Sequence, residues 1–446
     1  MSLSVANVKI LHGEDLVEGG ISIEDGRITR ICKTALLPRC EKRIDGRGLI
    51  AFPGLIDAHV HLRDMQLAYK EDFSSGTLAA AAGGFTTVLD MPNTSPPTDS
   101  DERMREKLTK ARTSTHVNVG FYATLRESPT ELRRIVDSGA IAFKLYMNEP
   151  NEDAWHRDDK RLLSSLTECA SLRVPVAFHA ENGIGIARAQ AACQARNKNS
   201  IRDFLRAHAP RFENQAVRTV IELARPAGLR AHVCHLSTRR ALSEIHRARR
   251  KGIDATCEGT PHHAFLSHED LKRLRGLALM VPPLRGSNDR RGLWKSIVRG
   301  HVDVVASDHA PHAIEEKTSS DIWAVRPGIP GLETTLPLLL TRAYMGEISL
   351  SRLVRLLAEN PARIFGLRGK GRLERGMDGD VILVDPKERF RIDSSQFLSK
   401  AHFSPFDGVE CVGRPVMTII SGRIACDRGE IVEKNQGRVI VNGGRS

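Results

Sequence analysis

Residues 48–64 read Gly-Leu-Ile-Ala-Phe-Pro-Gly-Leu-Ile-Asp-Ala-His-Val-His-Leu-Arg-Asp, an apolar run that ends in charged and imidazole side chains. A short apolar run punctuated by Gly and Pro reads as a buried strand, which places the polar residues at its C-terminal end. His59 and His61 are two apart, so on an extended chain both rings face one side and can reach one metal ion. Arg63 keeps that spacing and falls on the same side, where a guanidinium suits bidentate capture of a carboxylate. Pairing with Asp64 is its structural alternative.

The pattern recurs along the chain. Strand-like apolar runs cover Leu49–Ile56, Thr86–Asp90, Val117–Ala123, Ala140–Leu145, Val174–Phe178, Ala231–Cys234, Ile253–Cys257 and Val302–Ala306, with amphipathic helical segments between them. Eight βα units in succession predict an α/β fold, a (β/α)8 TIM barrel whose chemistry sits at the C-terminal strand ends. Those ends are where metal-capable and polar residues collect: Asp90 to Thr94, Lys144 with Tyr146 and Asn148, His179 to Asn182, His235, Glu258 with His262 and His263, and Asp308 with His309 and His312. This coincidence carries more weight than any single motif.

Outside the barrel the pattern changes. Short alternating strands with tight turns fill residues 1–50 and 371–446 and predict a small composite β-sandwich built from both termini, leaving 51–370 for the barrel. The chain has 446 residues, 41% of them hydrophobic and 27% charged, which excludes a disulfide-dense mini-protein and a disordered chain. The net charge of +12 is scattered, its densest patch running from Arg239 to Lys251, with no aromatic signature of nucleic-acid binding. No nucleic-acid partner is expected. The 8 cysteines form no CxxC pair, and no apolar run is long enough for a membrane span or a secretion signal. A soluble protein in a reducing cytoplasm is the expectation.

The ligand set of His59, His61, His179, His235 and Asp308 offers nitrogen and oxygen without thiolate. It suits zinc, with manganese, cobalt or iron as alternatives. Lys144 sits in an apolar run, where a charged ammonium is costly. Either its head snorkels out of the barrel, or burial favours the neutral amine, which can add carbon dioxide and become a carbamate able to bridge two metals. A metal pair activates water and polarises a carbonyl, and Asp308 can ligate as well as move a proton: chemistry for hydrolysis. Asn93, in a turn sequence, can add hydrogen bonds to a substrate.

The stretches DAHVHLRD (57–64), MPNT (91–94), FKLYMNE (143–149), FHAEN (178–182), CHLS (234–237), TCEGTPHHAFLSHEDL (256–271), ASDHAPH (306–312), PGIPGLETTLPLLLT (327–341) and SKAHFSPFDG (399–408) together carry a resemblance. The chain resembles the dihydroorotases of the amidohydrolase superfamily, closely so the dihydroorotase domain of the animal multifunctional pyrimidine-synthesis protein. The resemblance implies reversible hydrolysis of the cyclic amide of L-dihydroorotate to N-carbamoyl-L-aspartate, the third step toward UMP.

It further implies that His59, His61, Lys144 and Asp308 hold one zinc, and carbamylated Lys144, His179 and His235 the other. Arg63, Asn93 and His312 would bind substrate, and Asp308 would be the acid/base. A third zinc held partly by Glu258 and His263 is implied by the animal relatives, with hydrogen bonding to the ligands as the alternative role for those two side chains. A homodimer and association with aspartate transcarbamoylase follow from the same resemblance. The rival readings are an allantoinase or hydantoinase, whose usual substrates lack a carboxylate for Arg63, and an inactive scaffold homologue, against which the complete ligand set argues. Two departures stand out. Pro150 occupies the place of a threonine in the family's mobile loop, and Val281 and Pro282 stand where relatives carry a substrate-binding asparagine or arginine, with Arg285 nearby.

Overall fold

The computed structural model describes residues 2–151 and 154–445. Eight parallel strands form the barrel: Leu55–Val60, Phe85–Asp90, Asn118–Thr124, Ala142–Tyr146, Val176–His179, Ala231–Val233, Ala255–Gly259 and Val304–Val305. They are called here the first to eighth barrel strands. Each expected run contains or overlaps one of them. The eighth returns to the first through the parallel bridge between Val60 and His309 and a 2.7 Å bond from the His61 N–H to the His309 carbonyl. The strands are buried almost throughout because both faces are covered, by helices outside and by the barrel's own filling inside. That filling includes Ile56, Leu89, Met91, Tyr122, Ala177, Cys234 and Ala306.

Local chemistry starts the helices where the pattern predicts. The first barrel helix, Phe73–Ala82, opens on a capping box between Asp72 and Ser75. The next two, Asp101–Ser114 and Pro129–Asp137, are capped by Ser100 and Ser128, the latter followed by proline in the first turn. Three helices, Gly183–Gln194, Ile201–Ala207 and Pro210–Ala227, fill the connection between the fifth and sixth strands.

The terminal segments form one nine-stranded sheet. Its core joins Leu3, Val5, Ile21 and Ile23 from the N-terminal part to Val381, Leu383, Val416 and Ile419 from the C-terminal part. Two boundaries differ from the sequence reading. The run Leu49–Ile56 is split: Ile50–Pro53 pairs with Val381–Arg391 in the terminal sheet, and the barrel begins at Leu55. Pro53 has no N–H to continue the ladder, and at Gly54 an added Cβ would meet Thr86 Oγ1 at 2.2 Å. Pro53-Gly54 is therefore the elbow between the two sheets.

At the other end, residues 371–446 were read as belonging wholly to the terminal sheet, yet Val439–Val441 pairs in parallel with the third barrel strand, Val439 opposite Val119. The fourth strand meets the third only from Tyr122 onward, so the edge before it is open and the chain end fills it. Among the described residues no helix is long and apolar enough to cross a membrane.

Candidate metal centre and substrate pocket

The C-terminal strand ends open into a cavity of about 490 Å³ lined by His59, His61, Arg63, Asn93, Lys144, His179, His235, Asp308 and His312 among others. The expected ligand and substrate residues thus converge on one pocket. His59 Nε2 and His61 Nε2 lie 3.3 and 3.2 Å from the same Asp308 oxygen, a group of donors compact enough for one ion. His179 and His235 stand beside them, ring centroids 4.6 Å apart, with His59 5.3 Å from His235.

Electrostatics leave most of these groups in the form that binds metal. Burial pushes His61 down to about 4 and lowers His179 and His235 as well, so their rings are neutral and offer lone pairs. Burial alone would raise Asp308, but His59 and His61 outweigh it and hold the carboxyl below its usual range. Among the described residues the buried Nδ1 of His235 has no hydrogen-bond partner. An orphaned imidazole nitrogen beside neutral histidines and a carboxylate is a donor set that fits a divalent transition metal.

Lys144 is fully buried. Its Nζ lies 3.0 Å from Cys234 Sγ and 5.3 Å from the centre of the Tyr146 ring. It does not snorkel, and among the described residues no carboxylate forms an ion pair with it. Such a cation is expensive to keep buried without a counter-charge.

Glu258 is hydrogen-bonded to neighbouring histidines, and with His59 and Cys234 it forms a second group of donors close enough for one ion. One oxygen accepts from His59 Nδ1 and from the His235 backbone N–H, and the other faces His232 Nε2 at 3.1 Å. This carboxylate orients the His59 ring so that Nε2 faces the pocket, and against burial it raises the ring to about 10, so His59 is protonated at neutral pH. His263 has Nδ1 2.8 Å from Thr260 Oγ1 and Nε2 2.9 Å from the Pro282 carbonyl. The structure does not bring Glu258 and His263 to a common ion.

Arg63 reaches the pocket by a route the alternation argument missed. Arg63, Asp64 and Met65 all have positive φ, at 57°, 50° and 50°, so the chain is not extended there. Its Nε donates to the Pro311 carbonyl at 3.2 Å. His235 and Asp308 share the left-handed region, with φ of 32° and 48°, so strain collects at the site. Asn93 accepts from His61 Nδ1 at 2.6 Å, a contact with a metal-capable ring that the turn reading did not foresee.

Arg285 does not fill the contact left open at Val281 and Pro282. It points to Ser237, the His208 carbonyl and Glu213, while Val281 and Met280 line the cavity with apolar surface. In the loop carrying Pro150, Glu152 and Asp153 lie outside the described residues; Asn148 lines the pocket. The sequence reading missed Lys70, Glu316 and Arg326, which also line it. Lys70 and Arg326 sit in loops and Glu316 in the single 3-10 turn Ile314–Lys317, where no periodicity marks a residue as facing inward.

A protein with this barrel and this cluster of histidines and a carboxylate is defined as a class before its substrate is known. A model of the amidohydrolase family matches residues 50–425, and the chain belongs to that family. It is 40% identical to the dihydroorotase of Methanothermobacter thermautotrophicus over 423 residues, 94% of this chain and 93% of that one. With the dihydroorotase of Bacillus cytotoxicus it shares 37% identity over 431 residues, 95% of this chain and 98% of that one. Among solved structures, the L-hydantoinase (dihydropyrimidinase) from Arthrobacter aurescens is similar with a TM-score of 0.94 at 31% identity, covering 99% of each chain.

Proposed function

We propose that the chain is a dihydroorotase, hydrolysing the cyclic amide of L-dihydroorotate to N-carbamoyl-L-aspartate and closing the ring in the reverse, biosynthetic direction. The observation that carries this reading is the Arg63 guanidinium in the same cavity as the His59, His61 and Asp308 group. A cyclic amide without a carboxylate gives a buried arginine nothing to pair with, and an unpaired buried charge is costly. The hydantoinases share the barrel, and the higher sequence identity lies with the dihydroorotases.

We assign two zinc ions: His59, His61, Asp308 and Lys144 would hold one, and His179, His235 and Lys144 as its carbamate the other. When bound, the pair supplies Lewis acidity, making water nucleophilic at neutral pH and polarising the carbonyl under attack. Two ions rather than three fit the hydrogen bonds already made by Glu258 and His263.

The protein's own groups do the rest. Arg63, held through Nε, would grip the substrate carboxylate with its terminal nitrogens, one of which lies 3.3 Å from His312 Nε2. Asn93, its oxygen committed to His61, keeps its amide N–H groups for the same carboxylate, and His312 stands beside Arg63. That grip fixes which ring carbonyl faces the histidine cluster. Asp308, held ionised, accepts a proton from the attacking water and returns it to the departing ring nitrogen. The homodimer and the association with aspartate transcarbamoylase are proposed from family resemblance, and the cytoplasmic location from cysteines that form no CxxC pair and stay free.

The test is turnover of L-dihydroorotate beside allantoin and hydantoin by the zinc-loaded wild type and Arg63→Met. Dihydroorotate should be the preferred substrate, with kcat/KM falling at least about a hundredfold in the variant, the upper range for a charged hydrogen bond. Preferred turnover of hydantoin, unchanged by the substitution, would move the chain to the sister activity.

A further inference from the structure

His312 is caught between two pairs of partners. Its Nδ1 lies 3.2 Å from Lys70 Nζ and 3.0 Å from Glu316 Oε2. Its Nε2 lies 3.3 Å from an Arg63 terminal nitrogen and 3.0 Å from the Pro327 carbonyl. Burial, with Arg63 and Lys70 adding to it and Glu316 opposing, pushes the ring down to about 3, so it is neutral and has one N–H to place. A neutral imidazole donates from one nitrogen and accepts at the other, which leaves two complete arrangements.

In one, Nδ1–H donates to Glu316 and Nε2 accepts from Arg63, so the guanidinium spends a donor inside the protein. In the other, Lys70 donates to Nδ1 and Nε2–H donates to Pro327. Arg63 and Nε2 then both present hydrogens and cannot bond each other, and the guanidinium nitrogen is free for a ligand. Lys70 is buried and is itself placed by Glu316, 2.8 Å away. Glu316 is in turn held by the Tyr69 hydroxyl and the Ala313 N–H.

We propose that Lys70 is a positioning residue for substrate recognition: by donating to His312 Nδ1 it selects the Nε2–H tautomer and releases Arg63 to the substrate carboxylate. The arriving carboxylate then meets an Arg63 nitrogen whose hydrogens are all free, where in the other tautomer one of them is spent on His312 Nε2. The inference rests on the proposed dihydroorotase reading only for the identity of the carboxylate ligand.

The experiment compares wild type, Lys70→Met and Lys70→Arg, with L-dihydroorotate kinetics and the side-chain 15N shifts of His312, assigned by difference against His312→Asn. Lys70→Met is expected to raise KM about tenfold with kcat within about twofold, the pattern of lost binding rather than lost chemistry. It is also expected to move the His312 proton from Nε2 to Nδ1. Lys70→Arg, which keeps a donor, should restore both. A fall in kcat at constant KM, or an unchanged His312 tautomer in Lys70→Met, would overturn the inference. If the wild type fails to turn over dihydroorotate, the substrate reading fails, and the 15N shifts still decide the tautomer.

Discussion

The Asn93 side-chain oxygen lies 2.6 Å from His61 Nδ1, and this bond leaves His61 Nε2 turned toward Asp308. Asn93 therefore serves a metal-capable histidine as well as the pocket. Groups that orient a metal-binding imidazole typically contribute about ten- to a hundredfold in metal affinity. Asn93→Ala is expected to lose zinc to a chelator correspondingly faster, followed by metal analysis during dialysis, as well as raising KM. Asn93→Asp keeps the acceptor and should retain metal while still binding substrate poorly, because its charge repels the carboxylate. Wild-type zinc retention in Asn93→Ala would confine the residue to substrate contact.

Lys144 supports a second expectation. A fully buried amine 3.0 Å from the Cys234 thiol gains charge partners if it becomes a carbamate between cations. Metal-free protein stripped of dissolved carbon dioxide should recover activity slowly with zinc alone and faster with added bicarbonate. Lys144→Ala should lose at least one ion per subunit and its activity in either buffer. Bicarbonate-independent recovery would remove the carbamate from the mechanism.

The barrel was legible because parallel strands buried on both faces must be continuous apolar runs, and the C-terminal ends could be read directly from where those runs stop. The histidines, Lys144 and Asp308 were found by that rule. Arg63 was found by a weaker argument, since its backbone is left-handed and not extended as alternation requires. Glu258 has the right chemistry for a ligand, yet its oxygens are committed to His59, His232 and the His235 N–H. Only three-dimensional proximity reveals that. Lys70 and Glu316 were invisible because they lie far apart in sequence, on a loop and a 3-10 turn that only the fold brings together. Val439–Val441 was assigned by neighbourhood in sequence, whereas a free edge on the third barrel strand decides where it pairs.

Beneath the pocket, Lys107 Nζ and the Asp90 carboxylate are 2.7 Å apart and almost wholly buried. Lys107 also donates to the Met91 carbonyl, and Asp90 accepts from the Leu62 N–H, so the pair ties the second helix to the segment that carries His61 and Arg63. Removing one partner from a buried pair strands the other charge. Lys107→Met is expected to cost about 3–5 kcal/mol, read from urea unfolding. The Lys107→Met, Asp90→Asn double variant should recover part of that loss. A loss below about 1 kcal/mol would mean the pair is solvated.

Glu333, at the start of the helix Leu332–Tyr344, gives a pH dependence whose sign can be derived. Burial raises its carboxyl from an ordinary 4.5 to about 8, against the opposing hydrogen bonds from the Leu398 and Ser399 N–H groups. Between those values the folded state holds a proton that the unfolded state has released, so folding takes up a proton there. Stability from this group therefore falls as pH rises from about 5 to 8 and levels off above. Glu333→Gln cannot ionise and can keep the Leu398 bond through its carbonyl oxygen. The stability difference between variant and wild type should favour the variant increasingly from pH 5 to pH 8, measured by urea unfolding at each pH. A difference that stays constant across that range would show Glu333 ionising in the folded protein near its ordinary value, which would require water to reach the Leu398–Ser399 turn.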